Sequence, residues 1–227
     1  MQKHVIIVAG GKGSRLGSIL PKQFIEVYNK PVLMHTFEPF LRYSSDIQFI
    51  LVLPEKHISF WERLCLEHAF SIRHKVVAGG PTRFHSVKNA LKTIPAEGLV
   101  AVHDGVRPLL TPGLVSRVFH FAEKFGSAIP VVPVRESVRL IDQAMSSPLP
   151  RNRVRLVQTP QCFRAEILIR SYKKSFREEF TDDATVVEPE GERLFLVDGE
   201  CLNIKISTDT DLVIAEALLK KKGFNKD

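Results

Sequence analysis

The sequence predicts an α/β fold: a mainly parallel sheet flanked by helices, with a projecting β-hairpin arm. Three observations lead to this prediction. Short apolar runs alternate with helical patterns through the first 134 residues, which is typical of parallel strands joined by helices. The first apolar run ends in a glycine-rich loop. The alternation then stops, and residues 135–157 have the pattern of a hairpin.

Apolar runs predict strands, and patterns of helical period between them predict helices. The predicted strands are Val5–Ala9, Gln48–Leu53, Lys75–Ala78, Leu99–His103 and Ala128–Val134. The predicted helices are Val32–Arg42, Ile58–Phe70, Phe84–Ile94 and Leu114–Phe125. The last of these follows Thr111-Pro112, an N-cap residue with proline in the first turn. In such a sheet, ligands bind outside the carboxyl ends of the strands.

The arm is predicted from two alternating stretches, Ser137–Ile141 and Arg153–Val157, joined by a Ser-Ser-Pro-Leu-Pro turn. Its charged faces favour projection from the sheet and pairing with a second subunit. The elements predicted after the arm are a helix at Ala165–Phe176, strands at Leu194–Val197 and Asn203–Ile206, and a closing helix at Asp209–Lys221. We expect one domain over residues 1–227, with the arm at about residues 135–157.

Composition excludes several classes of function. The chain has 227 residues and a net charge of +7, and none of its apolar runs approaches the ~20 residues that cross a bilayer. With no signal-peptide pattern, we expect a cytoplasmic protein without membrane contact. Basic residues are spread along the chain without a stacking platform of aromatics, so nucleic acid is not the expected partner. The three cysteines lack metal or disulfide spacing, and we expect them to be reduced and mostly interior.

The opening loop combines Gly10, Gly11 and Gly13 with the cation Arg15, and Lys22 follows close behind. Its spacing satisfies neither the Walker loop nor the dinucleotide fingerprint. Glycines nevertheless let backbone N–H groups approach a ligand closely, and fixed cations favour an anion. The loop therefore predicts phosphate binding, with a flexible turn as the alternative.

A second motif, HDGVRP, directly follows a predicted strand. Asp104 is a short carboxylate at the strand's carboxyl end, which suits Mg²⁺, and Arg107 suits a phosphate or carboxylate. The alternative is an aspartate that caps a turn and pairs with a nearby arginine. His103 is equally consistent with a hydrogen-bonded structural histidine.

Further motifs follow other predicted strands. Backbone amides and Ser86 in GGPTRFHS (residues 79–86) suit a nucleotide base edge, or the segment is a tight turn capped by Thr82. Thr159-Pro160-Gln161, Thr181-Asp182-Asp183 and Asn203–Ser207 add hydroxyls, carboxylates and a cation; Thr181-Asp182 is also typical of a plain helix cap. A nucleophile–base pair does not stand out. Cations with one metal-binding carboxylate indicate phosphoryl or nucleotidyl transfer.

Taken in order, these motifs resemble the methylerythritol phosphate cytidylyltransferases of the non-mevalonate isoprenoid pathway. The shared pattern is A-[AG]-G-x-G-x-R, P-K-Q, G-G-x-x-R-x-x-S, H-D-x-x-R-P, T-P-Q, T-D-[DE]-A and N-x-K-[IV]-[ST], from Ala9 to Leu219. Pro81 stands where the family often has an acidic residue. The resemblance implies a Rossmann-like nucleotidyltransferase domain, Mg²⁺ as cofactor, CTP and methylerythritol phosphate as substrates, and a homodimer through the arm.

The resemblance also implies roles for individual residues. Residues implied in CTP binding are Ala9, Gly10, Gly11, Gly13, Gly80, Arg83, Ser86 and Gly105. Residues implied in catalysis are Arg15, Lys22, Lys205 and Asp104, with Asp104 as the metal ligand. Residues implied in binding the sugar phosphate are Arg107, Ser137, Arg151, Thr159 and Thr181, with Ser137 and Arg151 reaching the partner subunit's substrate.

Two alternatives remain at this point. A ribitol 5-phosphate cytidylyltransferase would share the CTP half of the site and differ around the arm and Thr181. A nucleotide-binding module without turnover would have no need of Arg15, Lys22, Asp104 and Lys205 together. Pyrophosphate release with each sugar phosphate separates the alternatives.

Overall fold

A computed structural model describes residues 1–10, 20–143 and 145–224. Three predicted site residues, Gly11, Gly13 and Arg15, lie outside the described residues. The strands are β1 (Lys3–Val8), β2 (Glu26–Val27), β3 (Lys30–Pro31), β4 (Gln48–Leu53), β5 (His74–Ala78), β6 (Leu99–Asp104), β7 (Ser127–Pro133), β8 (Val138–Asp142), β9 (Met145–Leu149), β10 (Arg155–Val157), β11 (Gln161–Arg164) and β12 (Leu196–Asp198). The helices are α1 (Val32–His35), α2 (Glu38–Tyr43), α3 (Ile58–Glu67), α4 (Arg83–Leu91), α5 (Pro112–Phe125), α6 (Ala165–Ser171), α7 (Asp183–Val187) and α8 (Asp209–Phe224).

An eight-stranded sheet in the order β10-β7-β11-β6-β1-β4-β5, with β12 also paired to β7, forms the centre of the protein. The pairs β6–β1, β1–β4 and β4–β5 are parallel, as the alternation of strands and helices predicts. Strand β11 runs antiparallel to both of its neighbours, β6 and β7. The sheet is therefore mixed but mostly parallel, and the predicted fold class is confirmed.

Alternate residues of the central strands pack on opposite faces of the sheet. Val5 and Ile7 of β1 belong to a core that includes side chains of α1, α2, α3 and α5. Ile6 belongs to a second core with side chains of α4, α6 and α7. This period of two, with apolar residues on both faces, is why the strands are continuous apolar runs in the sequence. A third cluster, which includes Val106 and Ile206, packs α8 beside the end of β6.

The single helix predicted at Val32–Arg42 is wrong, because two short helices occupy this segment. The N–H groups of Thr36 and Phe37 bond to carbonyls three residues back, at Leu33 and Met34. Pro39 lies in the first turn of α2 and has no N–H to continue the α1 ladder. The proline therefore ends one helix and begins the next.

The arm is a hairpin, but its predicted second strand is wrong. Strand β8 pairs antiparallel with β9, from Val138 opposite Leu149 to Asp142 opposite Met145. The second strand therefore lies in the segment predicted as the turn. The stretch predicted as that strand instead returns to the main sheet, where β10 pairs antiparallel with β7. Pro148 is accommodated because a two-stranded sheet consists only of edge strands.

Two predictions for the last third of the chain are wrong, and one strand there was not predicted. The helix after the arm ends at Ser171 instead of Phe176. Asn203–Ile206 is not a strand, although the predicted strand at Leu194–Val197 corresponds to β12. Strand β11, for which the sequence analysis made no prediction, lies between β6 and β7. It is only four residues long, so it carries little periodic signal.

All three cysteines are free, as predicted, but only Cys162 is buried; Cys65 is half-buried and Cys201 is exposed. The predicted helix caps at Thr82, Thr111 and Asp182 are confirmed by side-chain hydrogen bonds to backbone N–H groups. None of the helices formed by the described residues is both long enough and apolar enough to cross a membrane.

Candidate active site

Three chain segments meet at the carboxyl ends of the parallel strands. Val8, the last residue of β1, is in register with Asp104, the last residue of β6. The N–H of Gly105 donates to the carbonyl of Val8 at 2.9 Å, and the N–H of Gly79 donates to the carbonyl of Leu53 at 2.7 Å. The loops that follow β1, β5 and β6 therefore begin side by side at the edge where α/β sheets bind ligands.

The carboxylate of Asp104 is surrounded by cations at this edge of the sheet. Its Oδ2 lies 3.0 Å from Nζ of Lys205 and 3.3 Å from Nε of Arg107. Its Oδ1 lies 3.7 Å from Nε of Arg83. One nearly buried carboxylate thus has three cations around it, brought together from α4, the loop after β6 and the segment before α8. The local surplus of positive charge suits a polyanionic ligand.

Burial raises the pKa of the Asp104 carboxyl, but the cations Arg83, Lys205 and Arg107 outweigh that effect and hold the value well below its usual range. The pKa of Arg107 is lowered from its ordinary value, chiefly by burial, and the guanidinium stays charged at neutral pH. Asp104 is therefore a carboxylate at every pH at which the folded protein is expected to work.

A chain of hydrogen bonds holds the backbone at Asp104. The N–H of Asp104 donates to Oγ1 of Thr159 at 3.1 Å, and that oxygen lies 3.1 Å from Nδ1 of His103. Burial lowers the pKa of His103 to about 3, so its imidazole is neutral. Its Nε2 lies 3.4 Å from the carbonyl of Arg107, which can only accept, so Nε2 carries the proton and Nδ1 accepts from the hydroxyl of Thr159. The structural interpretation of His103 is confirmed. The hydroxyl of Thr159 is used inside the protein, although the residue lines the cleft.

Arg107 is held from the other side by the segment before α8. Its Nη1 donates to the carbonyl of Asn203 at 2.8 Å, and Nδ2 of Asn203 donates to the carbonyl of Thr159 at 2.8 Å. Asn203 is fully buried. The position of Asn203 therefore links Arg107 and Thr159, and it places the following Lys205 beside Asp104.

Arg83 bridges two carboxylates. In addition to its contact with Asp104, its Nη2 lies 2.6 Å from Oδ2 of Asp183, which is fully buried. Oδ1 of Asp183 accepts a hydrogen bond from the hydroxyl of Tyr172 at 2.7 Å. The sequence analysis assigned no role to Asp183. The signal that marks it is a carboxylate on the same buried side of α7 as Ala184, Val186 and Val187.

Gln161, also without a predicted role, fixes the start of α7. Its Nε2 donates to Oδ2 of Asp182 at 2.7 Å, and its Oε1 accepts from the N–H of Ala184 at 2.9 Å. Asp182 and Thr185 form a capping box. The amide of Gln161 thus locks the turn that carries Asp182 and Thr181 into the wall of the cleft.

These groups surround one cleft of about 160 Å³. It is lined by Arg83, Asp104, Arg107, Val157, Gln158, Thr159, Gln161, Thr181, Asp182 and Lys205. Six of the predicted site residues therefore line one cavity: Arg83, Asp104, Arg107, Thr159, Thr181 and Lys205. Most of the lining is polar, which indicates a hydrophilic, charged ligand.

Three of the residues predicted to bind the nucleotide, Gly10, Gly80 and Ser86, lie close together. The hydroxyl of Ser86 accepts from the N–H of Gly80 at 3.1 Å and donates to the carbonyl of Thr82 at 3.0 Å. A Cβ added to Gly10 would lie 3.8 Å from that hydroxyl oxygen. Gly10, which follows β1, therefore lies close to the start of α4.

Two glycines of this group are required by packing. A Cβ on Gly80 would lie 2.4 Å from Cβ of His85. A Cβ on Gly105 would lie 2.9 Å from Cδ1 of Leu33 and 3.0 Å from Cβ of Ala9. A larger residue at either position must displace its neighbours, which would move the backbone of the loops that follow β5 and β6.

Lys22 is half-buried in a 3₁₀ turn, Lys22–Phe24, just after the first loop. The next residue, Gln23, donates from Nε2 to the carbonyl of Ala9 at 2.9 Å, which ties this turn to the start of the loop. Burial raises the pKa of Asp211, whereas two backbone N–H groups and the charge of Lys22 lower it overall. Lys22 therefore lies near the N-terminus of α8 and is absent from the lining of the described cleft.

Ser137 and Arg151 are exposed, and neither lines the cleft of its own chain. Arg151 donates from Nη1 to the carbonyl of Arg135 at 2.8 Å, at the base of the arm. This hydrogen bond therefore joins the two chain segments at the base of the arm, outside the described cleft.

Asp104 is the predicted metal ligand, and its carboxylate faces the cleft. Over residues 1–10, 20–143 and 145–224, there is no group of three or more histidine, cysteine, aspartate or glutamate side chains placed to hold a metal. Mg²⁺ is commonly bound by one or two carboxylates together with the phosphates of a substrate. The donor set therefore fits Mg²⁺ that arrives with a nucleotide, and does not form a cage that holds the ion alone.

Comparison with known proteins agrees with this arrangement. Residues 3–221 match the family described as 2-C-methyl-D-erythritol 4-phosphate cytidylyltransferase. The protein of that name from Bacteroides thetaiotaomicron is 52% identical over 219 residues, covering 96% of this chain and 100% of that protein. The protein of the same name from Bacteroides fragilis is 49% identical over 219 residues, with the same coverage.

Solved structures have the same fold. The 4-diphosphocytidyl-2C-methyl-D-erythritol synthase of Anaerococcus prevotii has a TM-score of 0.82 at 28% identity, over 96% of this chain and 98% of that one. The 2-C-methyl-D-erythritol 4-phosphate cytidylyltransferase of Thermus thermophilus has a TM-score of 0.79 at 32% identity, over 97% of this chain and 100% of that one. The chain belongs to the 2-C-methyl-D-erythritol 4-phosphate cytidylyltransferase family.

Proposed function

We propose that this chain transfers CMP from CTP to 2-C-methyl-D-erythritol 4-phosphate, giving 4-diphosphocytidyl-2-C-methyl-D-erythritol and pyrophosphate. The observation that carries the proposal is the cluster of Lys205, Arg107 and Arg83 around Asp104, in a polar cleft at the carboxyl ends of parallel strands. Membership of the family supports the choice of substrates.

In the reaction, an oxygen of the sugar phosphate attacks the α-phosphorus of CTP, and the bond between the α-phosphorus and its bridging oxygen to the β-phosphorus breaks. Pyrophosphate leaves with the electron pair of that bond. The nucleophile is a dianion that meets a polyanion, so charge neutralisation and alignment are the main requirements. This explains why the cleft offers cations in place of a covalent nucleophile.

Each cation has a role in the proposal. Lys205 leaves its contact with Asp104 to bridge the attacking phosphate and the α-phosphate, and Arg107 holds the sugar phosphate. Arg83 and Lys22 stabilise the nucleotide phosphates, and Arg15 completes this set from the first loop. Ala9, Gly10, Gly11, Gly13, Gly80, Ser86 and Gly105 form the CTP-binding backbone. Thr159 and Thr181 bound the pocket for the sugar phosphate.

Mg²⁺ is the cofactor in this proposal, held by Asp104 and the phosphates of CTP. When bound, it neutralises phosphate charge and favours departure of pyrophosphate. Within this chain, Asp104 contributes the carboxylate, and Lys205 and Arg107 hold that carboxylate at the mouth of the cleft until the nucleotide arrives.

The proposal includes one nucleotidyltransferase domain over residues 1–227 and a homodimer formed through the arm. In the dimer, Ser137 and Arg151 reach the sugar phosphate bound to the other subunit. Exposed apolar side chains on β8 and β9, including Ile141 and Met145, support an interface at the arm. A cytoplasmic location is part of the same proposal, because three free, scattered cysteines are typical of a reducing compartment.

The test is pyrophosphate release from CTP and Mg²⁺, with methylerythritol phosphate and ribitol 5-phosphate in parallel reactions. We expect turnover with methylerythritol phosphate and less than about one hundredth of that kcat/KM with ribitol 5-phosphate. Turnover with ribitol 5-phosphate alone would keep the CTP site and change the acceptor. If the folded protein binds CTP but releases no pyrophosphate with either acceptor, the result would indicate a nucleotide-binding module without turnover.

A further inference from the structure

We propose that Asp183 is a positioning residue for Arg83. By holding Arg83, it leaves Lys205 and Arg107 as the cations in close contact with Asp104. The inference rests on the proposed function, in which Arg83 faces the phosphates of CTP. Asp183 itself is fully buried and does not line the cleft. It therefore acts on the ligand only through Arg83.

The geometry around Arg83 carries the first step. Arg83 is the first residue of α4, and its side chain reaches between Asp183 and Asp104. The contact with Asp183 is a short ion pair of 2.6 Å, whereas the contact with Asp104 is 3.7 Å and too long for a hydrogen bond. Asp183 thus holds the guanidinium, and Asp104 only interacts with its charge.

The second step is the rigidity of Asp183. Its Oδ1 accepts from the hydroxyl of Tyr172, so both carboxylate oxygens have a fixed partner. Tyr172 is itself buried and stacks on Phe84, with ring centroids 4.8 Å apart and an interplanar angle of 18°. Because Nη2 of Arg83 donates to a carboxylate held in this way, that end of the guanidinium has a defined position.

The third step concerns Asp104. Its Oδ2 is taken by Lys205 and Arg107, while its Oδ1 faces Arg83 at the longer distance. Without Asp183, the nearest carboxylate for Arg83 is Asp104, and a closer contact there would compete with Lys205. Asp183 therefore keeps Arg83 at the nucleotide side of the cleft and leaves Lys205 beside Asp104.

A double-mutant cycle tests the proposal. Asp183→Asn keeps the volume and an oxygen for Tyr172 but removes the charge that holds Arg83. We expect it to lower kcat/KM for CTP by about 10- to 100-fold, as for other misplaced groups at a reacting centre. In a protein that carries Arg83→Ala, the same change should alter kcat/KM by less than about 2-fold, since Asp183 then has no arginine to position.

The matched control is Ser127→Ala, which removes a buried hydroxyl that donates to the carbonyl of Arg193 and accepts from the N–H of Phe195, and which has no role in the proposal. We expect a lower melting temperature and a kcat/KM within about 3-fold of wild type. If Asp183 were only structural, Asp183→Asn would lower kcat/KM equally with and without Arg83. That equality would overturn the proposal.

A second variant covers the case in which Asp183→Asn does not fold. Asp183→Glu keeps the charge but moves it outward by one methylene, so it should fold and still lower kcat/KM by about 10-fold. A folded Asp183→Glu with wild-type kcat/KM would contradict the proposal. If the wild-type protein binds CTP but releases no pyrophosphate, the proposed function fails, and the same cycle is then measured in the Kd for CTP. A wild-type protein that does not bind CTP would overturn both.

Discussion

Nζ of Lys205 lies 3.0 Å from Oδ2 of Asp104, so the cation assigned to the substrate phosphates begins the reaction cycle paired with a carboxylate. The Lys205 side chain is 45% exposed, whereas that of Asp104 is 9% exposed, so only the lysine can swing into the cleft. The ion pair therefore keeps the ammonium group of Lys205 beside the cleft in which the substrate phosphates are proposed to bind.

Replacing Lys205 with methionine should lower kcat/KM by about 10²–10³-fold, since a preorganised cation that meets developing charge contributes on that scale. Pyrophosphate release at varied CTP measures the effect. Lys220→Met is the control, because Lys220 pairs with Glu216 on the surface of α8 and should leave kcat/KM unchanged. A Lys205→Met enzyme with near-wild-type turnover would remove Lys205 from the mechanism.

The folded protein should lose stability in acid partly through Asp104. The pKa of its carboxyl is depressed in the folded state, so the unfolded chain binds this proton first as the pH falls. The stabilisation is fully present above the ordinary pKa of about 4 and is lost as the pH falls through the lower folded value. Urea unfolding from pH 7 to pH 3 should show this slope, and the slope should be smaller in Asp104→Asn.

At pH 7, Asp104→Asn should itself lower the free energy of unfolding by about 3 kcal/mol, because it leaves the buried guanidinium of Arg107 without its carboxylate. Denaturant unfolding at constant pH measures this loss. An Asp104→Asn protein as stable as wild type at pH 7 would mean that the cations find water or other partners, and that the ion pairs add little to the fold.

The hydroxyl of Thr159 should matter more than its methyl group. Thr159→Val leaves the N–H of Asp104 and Nδ1 of His103 without their shared partner, and we expect a loss of about 1–3 kcal/mol in stability. A drop of about 10-fold in kcat/KM should accompany it, since the backbone at Asp104 is then less restrained. Thr159→Ser keeps the hydroxyl and should retain most of both. Equal losses in the two variants would contradict this role.

Gly80→Ala should weaken CTP binding through the backbone. The new Cβ meets Cβ of His85 at 2.4 Å, so the turn must shift, at a cost of about 1–3 kcal/mol in stability. We expect the Kd for CTP, measured calorimetrically, to rise by about 10-fold. Gly113→Ala is the control, because its nearest contact, Oγ1 of Thr111, is 3.6 Å away and leaves room for a methyl group. An unchanged Kd in Gly80→Ala would show that this turn does not contact the nucleotide.

A charged residue placed on the arm tests whether the arm forms the proposed dimer interface. Ile141 is 67% exposed at the end of β8, and Ile141→Asp should convert the proposed dimer to a monomer of about 25.6 kDa in light scattering. Leu66→Asp is the control: Leu66 is 83% exposed on α3, far from the arm in the chain, and the dimer should persist. A wild-type protein that is already monomeric at micromolar concentration would contradict the dimer.

Strand positions and the location of the site were predictable because both depend on local pattern. The strands β1, β4 and β6 each contain at least four consecutive apolar residues, and glycine, proline or aspartate marks where these runs end. The pair of Asp104 and Arg107 is also local, three residues apart, and was one of the alternatives for the HDGVRP motif.

Other features depend on distant segments or on small energetic differences. Asp182 and Asp183 are adjacent and chemically identical, yet one caps α7 and the other is fully buried against Arg83. The apolar pattern of α7 marks Asp183 as the buried one, but only the tertiary contact shows that Arg83 is its partner. The position of the second hairpin strand was predicted wrongly for a related reason. The Ser-Ser-Pro segment has weak strand propensity, and its pairing with β8 overrides that preference.

Strand β10 has a consequence for how the arm can vary among relatives. Both ends of the arm are anchored at one edge of the sheet, because β7 leads into it and Val157 pairs back opposite Val131. Pairs of residues can be inserted into or deleted from β8 and β9 without altering the pairing of β10 with β7, so the length of the arm can differ among relatives. A slip of β10 by a single residue, in contrast, would reverse the side chains that follow and turn Thr159 away from Asp104. Length polymorphism in this family should therefore concentrate in β8 and β9 and avoid β10.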